Sequence, residues 1–230
     1  MIGLGFGNFQ AVTQAPFSFG NALRFDGAND NVTFSTISLT EGTISFYVNP
    51  KQNNYLRVIG ADGSANFSYI NPQIGFSKVL FRVNSAANQV FFTDPIGMTQ
   101  NNWYHIVCTF NSTTANCYVN GQACAENPFS LSATSQTVQF VNMGRLWNTT
   151  NYSQHITDEL AIWNTVLSAT DVANLYNSGN GDYATNYSPD NLQAYWRMNG
   201  SGTDTIAVDE QGNYDGTLNN FPASGMWVAH

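Results

Sequence analysis

Between Ala22 and Thr93 the chain is cut into short runs of β-branched and aromatic residues, each bounded by Gly, Asn, Pro or Ser. That punctuation limits the fold more than any other feature. Runs at Ala22–Phe25, Asn31–Phe34, Gly42–Val48, Tyr55–Ile59, Phe67–Ile70, Val79–Val83 and Val90–Thr93 predict strands, being too short and too β-branched for helices. The clearest stretch follows them. WYHIVCTF (Trp103–Phe110), ANCYVN (Ala115–Asn120) and QACA (Gln122–Ala125) predict a three-stranded meander, because Asn120-Gly121 is a dipeptide that suits a two-residue hairpin turn. This turn sets Cys117 opposite Cys124, and a four-residue loop over Asn111–Thr114 sets Cys108 opposite Cys117. Three cysteines make no disulfide framework, so a row of small buried thiols is expected.

Further strands are predicted at Thr137–Met143, Ile156–Asn164, Gln193–Met198 and Gly216–Leu218. One short helix is expected from Ser168, where Ser168 and Asp171 have capping-box spacing and Val172, Leu175 and Tyr176 supply an apolar stripe. It ends near Gly179, and the polar stretch from Gly179 to Asn191 reads as a loop. No repeat divides the 230 residues, a length that one large β-sandwich fills by itself.

Composition narrows the function. Aromatic residues reach 14%, whereas charged residues are only 10%, far below the roughly 25% of an ordinary soluble domain. Neutral amides and hydroxyls must therefore solvate the surface. A net charge of -8, with 7 basic residues scattered along the chain, excludes a nucleic-acid footprint. No apolar run is long enough to span a membrane, and MIGLGFGNFQAVTQ has no basic region before its apolar residues, so neither membrane insertion nor a Sec-type signal is expected. Such a surface suits the outside of a cell or particle. A virion protein, made in the host cytoplasm and exposed after lysis, meets both conditions; an extracellular location is the alternative.

Several motifs then occur in one order. NALRFDGANDNVTF, TISFYV, NNWYHIVCTFNSTTANCYVNGQ and ITDELAIWNTVLSATDVANLYNSG, from Asn21 to Gly179, resemble the laminin-G-like branch of the concanavalin A-like lectin and glucanase family. The resemblance implies an all-β jelly-roll sandwich of two antiparallel sheets with one short helix. The last segment, LQAYWRMNGSGTDTIAVDEQGNYDGTLNN, resembles the strand and Gly-rich loop that precede the Phe-Asp-Gly strand in many such proteins. Here it comes last. The expected organisation is an amino-terminal arm over residues 1–20 and a single domain over 21–230, with 190–230 supplying a permuted closing strand and tail. The layout is similar to that of laminin-G-like proteins of tailed phages.

Glycosidases of this superfold place acids at alternate positions on one strand. Asp158 and Glu159 are consecutive, so on a regular strand they point to opposite faces, and no catalytic residue is expected. Calcium is the one metal the family resemblance implies, with Asp26, Asp30 and Asp158 as candidate ligands; otherwise no cofactor is expected. His105, His155 and His230 are isolated, and His105 reads as a packing residue. For a sugar, the stretch WNTTNYSQH offers aromatic faces and amides, and Trp147, Asn148, Asn151 and Tyr152 are the candidate contacts. The reading is a non-enzymatic phage virion structural protein, decoration or fibre-like, displaying a lectin-like domain. Its expected partners are other virion proteins, copies of itself and cell-surface glycans. A secreted bacterial carbohydrate-binding or adhesin module is the alternative, and a glycan hydrolase the third reading.

Overall fold

The computed structural model describes residues 17–61, 68–83, 88–132, 137–146 and 151–230. Seventeen strands are found among them. The first seven are β1 (Asn21–Asp26), β2 (Asn31–Leu39), β3 (Gly42–Pro50), β4 (Ile59–Gly60), β5 (Tyr69–Gln73), β6 (Lys78–Arg82) and β7 (Gln89–Thr93). The meander and its sequel give β8 (Tyr104–Phe110), β9 (Thr114–Val119), β10 (Gln122–Ala123), β11 (Phe129–Ser130), β12 (Val138–Met143) and β13 (Gln154–Trp163). After the helix α1 (Ala169–Tyr176) come β14 (Leu192–Trp196), β15 (Ile206–Ala207), β16 (Gly216–Asn219) and β17 (Trp227–Ala229).

The strands form two antiparallel sheets. The nine-stranded sheet runs β10-β9-β8-β3-β13-β1-β17, with β11 also on β9 and β14 also on β13; the eight-stranded sheet runs β15-β16-β2-β12-β4-β5-β6-β7. Between them lies one apolar core, to which the first sheet gives Ile44, Phe46, Ile106, Phe110 and Trp196, and the second Phe34, Ile37, Phe81, Phe92 and Phe140. Phe34 meets Trp196 at 4.8 Å between ring centres, and Phe81 meets Phe110 at 6.1 Å, so aromatic pairs bridge the two layers.

The local reasons are those the sequence offered. Asn120 and Gly121 have φ of 49° and 73°, the paired positive values that a tight hairpin turn requires. Cys108 pairs with Cys117 in register, the Cys124 N–H donates to the Cys117 carbonyl at 3.0 Å, and all three thiols are free and buried. Ser168 and Asp171 close a full capping box on α1. The run Tyr55–Ile59 is the exception: it makes only a bridge at Tyr55 and the two-residue β4.

The closing segment stitches both layers. β14 pairs with β13, β16 with β2 and β17 with β1. Buried Asp209 organises it, its carboxylate accepting the backbone N–H groups of Tyr195, Gln211, Asn213 and Tyr214 at 2.7–3.1 Å. Four charge-assisted bonds to one carboxylate fix the Gly-rich loop beside β14.

Candidate functional site

β13 has one edge against β3, while its other edge is shared, by β1 over Gln154–Thr157 and by β14 over Leu160–Trp163. At the changeover the register slips between Asp158 and Ala161, and Glu159 takes φ 49°. This is a bulge, and its extra residue re-aims a side chain. Asp158 stands opposite Tyr47, and Ala161 opposite Ser45, both on the outer face of the nine-stranded sheet. Glu159 reaches Tyr195, which lies opposite Ala161 on that same face. The two acids thus share the outer face. The expectation that they point apart is corrected, because a left-handed residue in a bulge breaks the alternation that consecutive strand positions otherwise obey.

Both acids are buried, at 0% and 5% exposure. Asp158 Oδ2 lies 2.6 Å from His230 Nδ1, and Asp158 Oδ1 accepts the Glu159 N–H at 2.9 Å. His230 is clamped between the rings of Trp103 and Phe19, at 3.8 and 3.7 Å. Glu159 accepts a hydrogen bond from the Tyr195 hydroxyl through Oε2 and faces Arg197 Nε at 3.3 Å through Oε1. Arg197 also donates to the Ser18 carbonyl at 3.1 Å and lies over the Tyr183 ring at 4.9 Å.

Burial sets the protonation of this cluster. Desolvation, reinforced by Asp158, pushes the Glu159 carboxyl up to about 8 against the pull of Tyr195 and Arg197. Desolvation also raises Asp158 well above the carboxylate range and lowers His230 to about 4. His105, bonded through Nε2 to the Ser45 hydroxyl at 2.7 Å, is lowered to about 3 by burial and is a packing residue stacked on Tyr47.

Above this face lies a roof. Val172 and Leu175 of α1 pack with Val107, Ala161, Trp163, Leu192 and Tyr195 of the sheet, and Phe17 and Phe19 of the arm meet Tyr183 and Tyr47. The space left beside Glu159, His105 and Ser45 is about 10 Å³. That holds one water and no sugar ring.

The other predicted residues lie elsewhere. Trp147 and Asn148 fall outside the described residues. Asn151 and Tyr152 lie on the approach to β13, where Asn151 accepts the Leu146 N–H through its carbonyl and Tyr152 bridges Arg145. Asp26 and Asp30 hold the turn after β1: Asp30 Oδ2 accepts the Asp26 N–H and Asp26 Oδ1 the Ala28 N–H. Burial raises the Asp30 carboxyl to about 6. Asp26 stands opposite Gln154, four positions and thus ~13 Å along β13 from Asp158, so the three candidate calcium ligands do not meet. Among the described residues no three His, Cys, Asp or Glu side chains are grouped to hold a metal ion. Nothing in the sequence signalled the contacts of His230, which sits 72 positions from its partner.

Comparisons place the architecture among known proteins. The family model of the concanavalin A-like lectin/glucanases superfamily matches residues 26–173. A Bacteroides ovatus protein assigned as carbohydrate-binding superposes with TM-score 0.66 at 16% identity, over 89% of this chain; the chain spans 59% of that protein's length. Domain 4 of AbnA, a GH43 extracellular arabinanase from Geobacillus stearothermophilus solved with arabinotriose, gives TM-score 0.51 at 16% identity over 70% of this chain and 78% of that one. A Trypanosoma rangeli sialidase solved with the inhibitor DANA gives 0.51 at 15%, over 70% of this chain and 28% of its own. At these identities the likeness is one of fold. No curated protein matches the sequence.

Proposed function

The chain belongs to the concanavalin A-like lectin/glucanase superfamily, and from that premise we propose that it is a non-enzymatic carbohydrate-binding module displayed on the virion of a tailed phage. One observation carries the non-enzymatic part. The acids that share a sheet face, the arrangement a glycosidase of this superfold needs, are closed over by α1, Phe17, Phe19 and His230, with about 10 Å³ beside them. A sugar cannot reach them.

The carbohydrate part draws on the B. ovatus protein and the arabinotriose-bound AbnA domain, whose sandwich this chain shares. The virion part draws on the neutral-polar composition and on the closing segment, which completes both sheets from the carboxyl end. Weak single sites suffice on a particle, because many copies raise avidity by orders of magnitude.

A glycan array probed with a multimer of the protein, together with reconstruction of purified particles, tests the two parts separately. Ordered copies on the particle and glycan signal on the array are expected. An array with no signal removes the carbohydrate reading, and particles that lack the protein remove the virion reading.

A further inference from the structure

Among the described residues an open cleft lies outside the family-matched residues. It measures about 590 Å³ and is lined by residues between Arg197 and Glu210 together with Trp227, a size ordinary for a small-molecule site. We propose that this cleft binds a neutral saccharide. The inference rests on the carbohydrate-binding reading above and gives that reading a place and a ligand class.

Its aromatic wall is built rather than incidental. The Trp227 ring lies so close to Gly200 that a Cβ there would sit 2.3–2.8 Å from three ring atoms, so only glycine admits the indole. Trp227 Nε1 donates to the Asp204 carbonyl at 3.3 Å, and its backbone pairs with Leu23 of β1. The ring is therefore held from its edge, its backbone and one side. Ile206 and Val208, 40% and 60% exposed, are two of the five large apolar side chains that the described residues leave in solvent, and both line this cleft. Ala207 between them is buried, so the strand alternation aims the two side chains outward together. Aromatic and aliphatic walls suit the C–H faces of a sugar ring.

Hydrogen-bonding groups are available beside these walls. Asn199 gives its oxygen to the Asn21 N–H, and Asp204 gives Oδ2 to the Ser201 N–H. Among the described residues the Asn199 amide nitrogen, Asp204 Oδ1, the Thr203 and Thr205 hydroxyls and the Glu210 carboxylate make no hydrogen bond. They offer donors and strong acceptors to hydroxyls. The charge balance selects among sugars. Arg197 is committed to Glu159, Ser18 and the Tyr183 ring, whereas Asp204 and Glu210 are exposed. Two carboxylates against one engaged cation disfavour a uronic or sialic acid.

Calorimetric titration of the full chain tests this, with neutral trisaccharides built on glucose, galactose, arabinose and N-acetylglucosamine, and with sialyllactose as the acidic probe. The expected result is binding of at least one neutral trisaccharide and none of sialyllactose. Trp227→Ala and Val208→Arg should each weaken binding by about tenfold or more. Val208 is mostly exposed, so its variant keeps the fold if Trp227→Ala does not. Asp204→Asn with Glu210→Gln should admit sialyllactose. Unchanged neutral binding in Val208→Arg overturns the cleft while leaving the carbohydrate reading intact. Preference for sialyllactose in the native chain overturns the ligand class, and absence of all sugar binding overturns both.

Discussion

The outer face of the nine-stranded sheet and the cleft of the closing segment make opposite uses of the same residue types. On the face, Asp158 and Glu159, their tyrosine neighbours and the rings of Trp103 and Phe19 are packed until about 10 Å³ remains. In the cleft, two carboxylates, a tryptophan and four β-branched side chains stand around about 590 Å³ of open space. The lesson is that acids in a sandwich of this superfamily acquire meaning from access. Glu159 is held neutral by burial, a role of architecture, while Asp204 and Glu210 keep the exposure that recognition needs.

That contrast can be broken or sharpened by stability measurements. Trp163, fully buried under α1 with its indole donating to the Tyr187 carbonyl at 2.7 Å, carries most of the roof. Trp163→Ala should cost about 3–5 kcal/mol of unfolding free energy. A loss under about 1 kcal/mol by chemical denaturation would mean that the face is open after all.

The second effect is one of pH. In the unfolded chain Glu159 titrates at its ordinary value of 4.5, and in the fold at about 8. The folded state therefore holds an extra proton between those values, and its stability falls as pH rises through that window. The buried histidines His105, His155 and His230, all lowered, act in the opposite sense, and their part fades as pH rises past their ordinary value of 6.5. From pH 6.5 to 8 the loss due to Glu159 is about 2 kcal/mol, and Glu159→Gln should gain in melting temperature relative to the native chain by that part over the range. Melting temperatures of the native chain and Glu159→Gln that run parallel from pH 6.5 to 8 contradict the sealed acid.

Smaller effects follow in order. Ser168→Ala removes the capping box of α1 and should cost about 1 kcal/mol, measured in urea. Val208→Thr, in the cleft, should change stability by no more than about 0.5 kcal/mol. A larger loss there would show that the cleft is part of the core.

Much of this architecture was legible in the sequence. Turn chemistry at Asn120-Gly121 fixed the meander and the row of thiols, and Ser168 with Asp171 marked the helix, because local hydrogen bonding decides both. A strand at the Tyr-Trp pair of the closing segment was also legible, and Tyr195 and Trp196 pair with β13. Two things were not. A glutamate at φ 49° leaves no local signature, since the bulge lies where the neighbour of β13 changes from β1 to β14, a matter of long-range pairing. The cleft was equally hidden: Gly200 and Trp227 are 27 positions apart, and their contact is made by long-range strand pairing. The aromatic and amide cluster at Trp147–His155 drew attention because it was contiguous, which binding sites need not be.

Access to the carboxyls is the centre of the account, and carbodiimide labelling of the native protein, read residue by residue by mass spectrometry, measures it without any ligand. Asp204 and Glu210 are predicted to label rapidly, with Asp158 and Glu159 protected until the chain is unfolded. Labelling of Glu159 in the folded protein at the rate of Glu210 would contradict the sealed face and return the catalytic reading to contention.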